Sequence, residues 1–439
     1  MKLLKLFVFL LIGFQFYCET REQPNFKWLA GIAASSQAAG TSSSPTVNSP
    51  NAPVSINPAP PEVTQDFTMT ISDSLDAPID FLFNTTVSPL FYITVSNPIG
   101  NPALGALVII SDGNTESFFR ATVDQSGNVS GRFTVNAATN EVFLTVSYNG
   151  QTIRTRLDIK HSAEFRRVIN FIVSSTPIPI VDSDSDGIED ANDFYPNDPN
   201  RASKINYPST GYYTVAYEDL FPKLGDADFN DYVVRVRYEE DLNATGNVVR
   251  IRGYYQHVAK GAGYDHLLKL NIPDIGNVDY TLKNLTAEGI TEKEISFSNV
   301  EAKGIELFPS SKLTIPKSNT APNSSFQIGK KSEIEVILKT PISKTILSSV
   351  PYDLFLYVIN TKHEIHFAGK YFDAAGEDIY LDVNGFPWAV MIPGDWKWPY
   401  EKFNIHASYP TFENWYKSKG SLNADWYNFP NLSQVFSIN

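Results

Sequence analysis

Between residues 66 and 159, short apolar runs alternate with turn signals. The runs Pro89-Leu90-Phe91-Tyr92-Ile93-Thr94-Val95, Ala106-Leu107-Val108-Ile109-Ile110 and Val142-Phe143-Leu144-Thr145-Val146 are bounded by Asn97-Pro98, Asp112-Gly113-Asn114 and Ser126-Gly127-Asn128. Strands of this length and punctuation predict a β-sandwich of immunoglobulin size. Asn149-Gly150, between Val146 and Ile153, predicts a two-residue hairpin, because both of its residues accept the positive φ such a turn needs. From about residue 207 to the end the period is again two. Val234, Val236 and Tyr238 are expected to face inward, with Arg235, Arg237 and Glu239 outward. Likewise Val249 and Ile251 oppose Arg250 and Arg252, and Ile334, Val336 and Leu338 oppose Glu333, Glu335 and Lys339. The run 354–359 is apolar on both faces, as in a central strand. No long segment has a helical period. The expectation is all-β: an immunoglobulin-like sandwich at 66–175, then a larger, jelly-roll-like sandwich at 207–439.

The N-terminus follows a different pattern. A short basic segment, Met1-Lys2-Leu3-Leu4-Lys5, precedes an apolar run over 6–17 that ends at Cys18, the one cysteine of the chain. The run is shorter than the ~20 residues of a spanning helix and reads as the core of a signal peptide over 1–17. A lone cysteine there points to lipoprotein processing, with Cys18 acylated and held at an outer membrane. The alternative is plain secretion, since Gln15-Phe16-Tyr17 departs from the usual lipobox. Residues 18–65 read as a tether: Ser, Ala, Pro, Asn and Thr dominate its 35–62 stretch, which cannot bury enough apolar area to fold.

Composition narrows the classes further. The 439 residues carry 35 basic and 48 acidic side chains, for a net charge of −13. A surplus of acid argues against a nucleic-acid partner, which requires a basic surface. With a single cysteine the fold has no internal disulfide. Some other staple is needed.

Calcium is the expected staple. In the linker 176–206, Asp182, Asp184, Asp186, Asp190 and Asp193 fall at positions 1, 3, 5, 9 and 12 of a loop with Gly187 at position 6. Calcium takes about six to eight oxygens, and this spacing wraps one chain segment around an ion, with Ile188 offering its carbonyl. Thr176-Pro177-Ile178-Pro179 excludes an entering helix, so the loop is similar to thrombospondin type-3 repeats and not to an EF-hand. A second acidic set follows: Glu218 and Asp219, then Asp226, Asp228, Asn230 and Asp231. Three readings compete for it: a calcium shell, a network of Asx turns, or a pair of catalytic carboxylates. Acids this crowded repel one another unless a cation or donors intervene, which favours the ion.

These motifs carry a resemblance. The loop 182–193 with Tyr195-Pro196-Asn197-Asp198-Pro199, the stretches Tyr217-Glu218-Asp219 and Gly225-Asp226-Ala227-Asp228-Phe229-Asn230-Asp231, and the later His363-Glu364-Ile365-His366, Asn384-Gly385-Phe386-Pro387-Trp388-Ala389 and Asp425-Trp426-Tyr427 resemble the LruC domain of spirochaetal and other bacterial surface or secreted proteins. The resemblance spans more than half of the chain. It departs at Ala227, where the family often has an aromatic residue, and at Gly263-Tyr264-Asp265-His266-Leu267. It implies an envelope location and this architecture, and it carries no activity.

Other signals are weaker. His363 and His366 are three residues apart, whereas a zincin helix needs four. In a strand they face opposite ways. Trp388, Trp396, Trp398, Trp415 and Trp426 cluster near the end of the chain. They are either an aromatic core or, if exposed, a platform for sugar rings. Pro387, Pro393, Pro399 and Pro410 predict irregular coverage over a sheet there. No nucleophile elbow, P-loop or dinucleotide fingerprint occurs. The preferred reading is a non-catalytic, lipid-anchored envelope protein with a structural or adhesive role toward a host or envelope protein. The alternative is a glycan-binding or carbohydrate-active protein.

Overall fold

In the first sandwich, alternate residues of three strands interlock. Phe91, Ile93 and Val95 of strand Leu90–Ser96 meet Val108 and Ile110 of Leu107–Ser111, and Val142, Leu144 and Val146 of Glu141–Tyr148. The computed structural model describes residues 81–439 apart from 115, 160–162, 173–178, 180 and 439. The leader 1–17, Cys18, the tether 18–65 and Thr176-Pro177-Ile178 lie outside the described residues. A three-stranded sheet, with Leu90–Ser96 between Asn128–Arg132 and Glu164–Asn170, faces a four-stranded sheet in the order Ser117–Thr122, Leu107–Ser111, Glu141–Tyr148, Gln151–Asp158. Asn149 and Gly150 turn the last hairpin with φ of 46° and 77°, as their residue types require.

The larger sandwich pairs an eight-stranded sheet with a four-stranded one. The long strands Tyr232–Leu242, Asn247–Ala259 and Lys331–Ser343 form the middle of the large sheet. Val234, Val236 and Tyr238 are buried as the alternation predicts. They pack toward Leu268 and Leu270 of His266–Asn271, and Leu354, Leu356 and Val358 of Asp353–Val358. One expectation is corrected. Val248, not Val249, is the buried partner of Ile251, because a register shift between Val248 and Arg250 resets the alternation.

A second correction concerns the C-terminus. Pro387 and Pro393 flank a regular strand, Ala389–Pro393, which pairs with Tyr213–Tyr217 as the last strand of the large sheet. Proline is tolerated because it sits at the strand's end. At this end the sheet is buried on both faces. Val215 and Met391 point into the sandwich, while Ala216, Val390 and Ile392 point into a separate aromatic layer. That layer is the segment after residue 393, with short helices Ile405–Ser408 and Phe412–Lys417. Trp396, Trp398, Phe412, Trp415, Tyr416 and Trp426 fill it. All five clustered tryptophans are at most 3% exposed, so they are core and present no platform to a sugar.

The two sandwiches touch. Thr122 N donates to Ala244 O at 2.9 Å, and Ser203 Oγ donates to Arg120 O at 3.1 Å. Among the described residues no helix is long and apolar enough to cross a membrane.

Candidate metal centres

The loop at 182–193 is built from short-range hydrogen bonds. Asp182 accepts from Ser185 N at 2.8 Å and Gly187 N at 3.0 Å. Asp184 accepts from Asp186 N, Asp186 from Ile188 N, and Asp193 from Tyr195 N. Each of these bonds uses a backbone donor that a turn leaves free, which is why Asp suits these positions. Gly187, at φ 98°, supplies a conformation side chains avoid. The other carboxylate oxygens, Asp184 Oδ2, Asp186 Oδ2 and Asp193 Oδ2, are buried with no hydrogen-bond partner among the described residues. Oxygens of Asp182, Asp184 and Asp186 lie within 4.8 Å of one another. Burial first, and then the neighbouring Asp184, Asp193 and Asp182, push the Asp186 carboxyl up to about 6.

The remaining loop residues play other parts. Asp190 turns to Ser183, accepting from its N and Oγ at 2.7 Å each, and these bonds hold its carboxyl below the usual range. Ile188 is buried against Ala202 and Ala244 and so seats the loop on the larger sandwich. Behind the loop, Asp241 is 1% exposed and collects Arg250, Arg252, Arg201 and the Tyr195 hydroxyl. Arg120 of the first sandwich donates to Asn192 O at 2.7 Å.

The second set is assembled differently. Glu218 follows strand Tyr213–Tyr217, and Asp226, Asp228 and Asn230 lie on the loop entering Tyr232–Leu242. Ala227 and Phe229, at φ 54° and 48°, fold this loop so that alternate side chains converge. Oxygens of Glu218, Asp226 and Asp228 lie within 4.8 Å of one another. Glu218 Oε1 accepts from Phe229 N at 2.6 Å, while its Oε2 is buried with no partner among the described residues. Asp228 accepts from Asn230 N and Lys402 N. Asp231 and Asp219 stand behind: Asp231 Oδ2 accepts from Asp219 N, and Asp219 Oδ2 lies 2.9 Å from His266 Nε2. Burial is the main force raising the carboxyls of Glu218, Asp226, Asp228 and Asp231, with mutual repulsion adding to it. A hard divalent cation suits such oxygens, since it replaces protons as the counter-charge.

Comparison with known proteins adds a family and two neighbours. Residues 246–427 match the family model described as "Domain of unknown function (DUF4842)". A Bacteroides ovatus chain named "Putative lipoprotein" is 15% identical, covers 76% of this chain and 99% of its own, and gives a TM-score of 0.47. The TIE protein of Bacillus anthracis is 8% identical over 64% of this chain and 48% of its own, with a TM-score of 0.16. At these scores neither likeness speaks to chemistry. No curated protein matches the chain.

Several residues around the second set are invisible to motif reading. Glu401, far along the chain, has its carboxyl raised by burial and by Asp226. Gly261 lies so close that a Cβ built on it would stand 1.8 Å from Asn230 Oδ1 and 2.7 Å from Glu401 Oε2. His266 is fully buried and orients Asp219. His363 and His366 go to separate partners, Phe221 O and Asp353.

Proposed function

We propose that this is a lipid-anchored protein of a bacterial outer envelope whose larger sandwich, of the LruC type, is held by calcium. Its role is structural or adhesive, toward a host or envelope protein, and non-catalytic. One observation carries the calcium reading. Glu218, Asp226 and Asp228 converge within 4.8 Å in a site where Glu218 Oε2 is buried and unpaired. An unneutralised carboxylate in that setting is costly, and a cation removes the cost. The loop at 182–193 supports the same reading, with three further unpaired carboxylate oxygens beside Asp182. The export pattern ending at Cys18 supports the anchor.

Calcium titration of the metal-free, full-length protein tests the reading. Expected are a binding heat and a higher melting temperature in calcium than in chelator. Identical melting in both, with no heat, overturns it. For the anchor, Cys18→Ser is expected to move the protein from the membrane fraction to the soluble one.

A further inference from the structure

Asn230 is fully buried, and its side-chain amide is oriented by one bond. Nδ2 donates to Pro399 O at 3.2 Å, which leaves Oδ1 facing away from that donor partnership. Oδ1 has no hydrogen-bond partner among the described residues, and neither has the buried Glu401 Oε2. Both oxygens crowd the same small space over Gly261, where a Cβ would overlap them. Two acceptors side by side with no donor between them call for a cation. Glu401 feels the charges of Asp226, Lys402 and Asp219, and Asp228 feels that of Glu401, so this space adjoins the carboxylates of the second set.

We infer that Glu401 is a further oxygen ligand of the buried site beside Asn230 Oδ1, and that its cation clips the C-terminal aromatic layer onto the large sheet. The inference rests on the calcium reading of Glu218, Asp226 and Asp228. The segment around Glu401 already threads the same loop: Lys402 N bonds Asp228, Asn404 Nδ2 bonds Asp226 O, and Ile405 N bonds Ala227 O. Directly after it come the helices that carry Phe412, Trp415 and Tyr416. A ligand on this segment gives the ion a hold on the layer, where ligands confined to 218–231 would hold only the loop.

The test uses the full-length protein with Asp182→Asn and Asp184→Asn, so that calcium heats report the buried site. Glu401→Gln in that background is expected to weaken calcium binding by at least about tenfold, the lower end of what losing even a supporting partner costs a metal site. In chelator the same variant is expected to melt no lower than its parent, because one member of a crowded acidic set has been neutralised. In the parent, calcium should slow trypsin cleavage at the exposed Lys402, Lys417 and Lys419, whereas the Gln variant should be cleaved alike with and without calcium. Unchanged affinity and protection in Glu401→Gln overturn the inference while leaving the calcium reading intact. A lower melting temperature in chelator overturns it too, by showing an ordinary structural role. If the parent itself shows no calcium response, the underlying reading has failed.

Discussion

The loop at 182–193 and the set around Glu218 offer a cation similar oxygens in opposite settings. In the loop every candidate ligand lies within twelve residues, the carboxylates are half-buried, and backbone N–H groups of the same turns already hold one oxygen of most of them. In the second set Glu218 and Asp228 are 1% exposed, and their neighbours arrive from distant parts of the chain, Glu401 among them. A local site can be ordered by its own turns, so a cation there stiffens the loop and little else. A distributed site exists only in the folded sandwich. Any affinity it has for a cation therefore appears as folding free energy.

Neutralising each site separately puts this contrast at risk, and here the largest effect is expected. With free calcium at about 100 times Kd, the stabilisation by linkage is about 2.7 kcal/mol. For a domain of this size that is a rise of roughly 5–10 °C in melting temperature. Glu218→Gln with Asp228→Asn should abolish the rise. Asp182→Asn with Asp184→Asn should leave it within about 2 °C, since these side chains stay half-buried on the surface. Differential scanning calorimetry in calcium and in chelator reads both. The reverse assignment breaks the comparison.

The same contrast decides what the sequence alone makes legible. The loop was readable because its chemistry depends on spacing alone: five Asp residues and Gly187 in register state the turn and the oxygens together. For the second set the chain pattern shows the acids but not their surroundings. Glu401 lies between Tyr400 and Lys402 with nothing nearby to mark it, and its segment is brought close by tertiary contacts: Glu401 N to Thr320 O, Lys402 N to Asp228 and Ile405 N to Ala227 O. Likewise the Asn149-Gly150 hairpin was local and readable, whereas the burial of Val248 in place of Val249 follows from a bulge set by the partner strand. The alternation of apolar residues sufficed for an all-β sandwich. The aromatic layer on its outer face needed the tertiary structure.

A smaller effect sharpens the local half of the comparison. Gly187 has φ 98°, and a Cβ added there would meet nothing within 4 Å. Gly187→Ala therefore carries only backbone strain, about 1–2 kcal/mol. If the loop is self-contained, that strain falls on its own calcium affinity, a loss of roughly five- to thirtyfold. Isothermal titration should register this loss. The main melting transition should not move.

The smallest effect is a pH dependence confined to the loop. In metal-free protein the Asp186 carboxyl is raised from 3.8 to about 6, chiefly by burial. A group raised in the folded state binds more protons there than when unfolded, so its contribution is fully present below about 3.8 and is lost as pH rises through about 6. In chelator, then, the stability of the wild type relative to Asp186→Asn should decline between these values. Because the side chain is only half-buried, solvent screening should keep the decline below about 1 kcal/mol. Calcium reverses the sign: an ion on Asp186 favours the ionised form, so above pH 6 the wild type should become the more stable of the two. A reversal that depends on calcium ties the titration to the loop's cation. A decline that persists in saturating calcium would mean that Asp186 is not among its ligands.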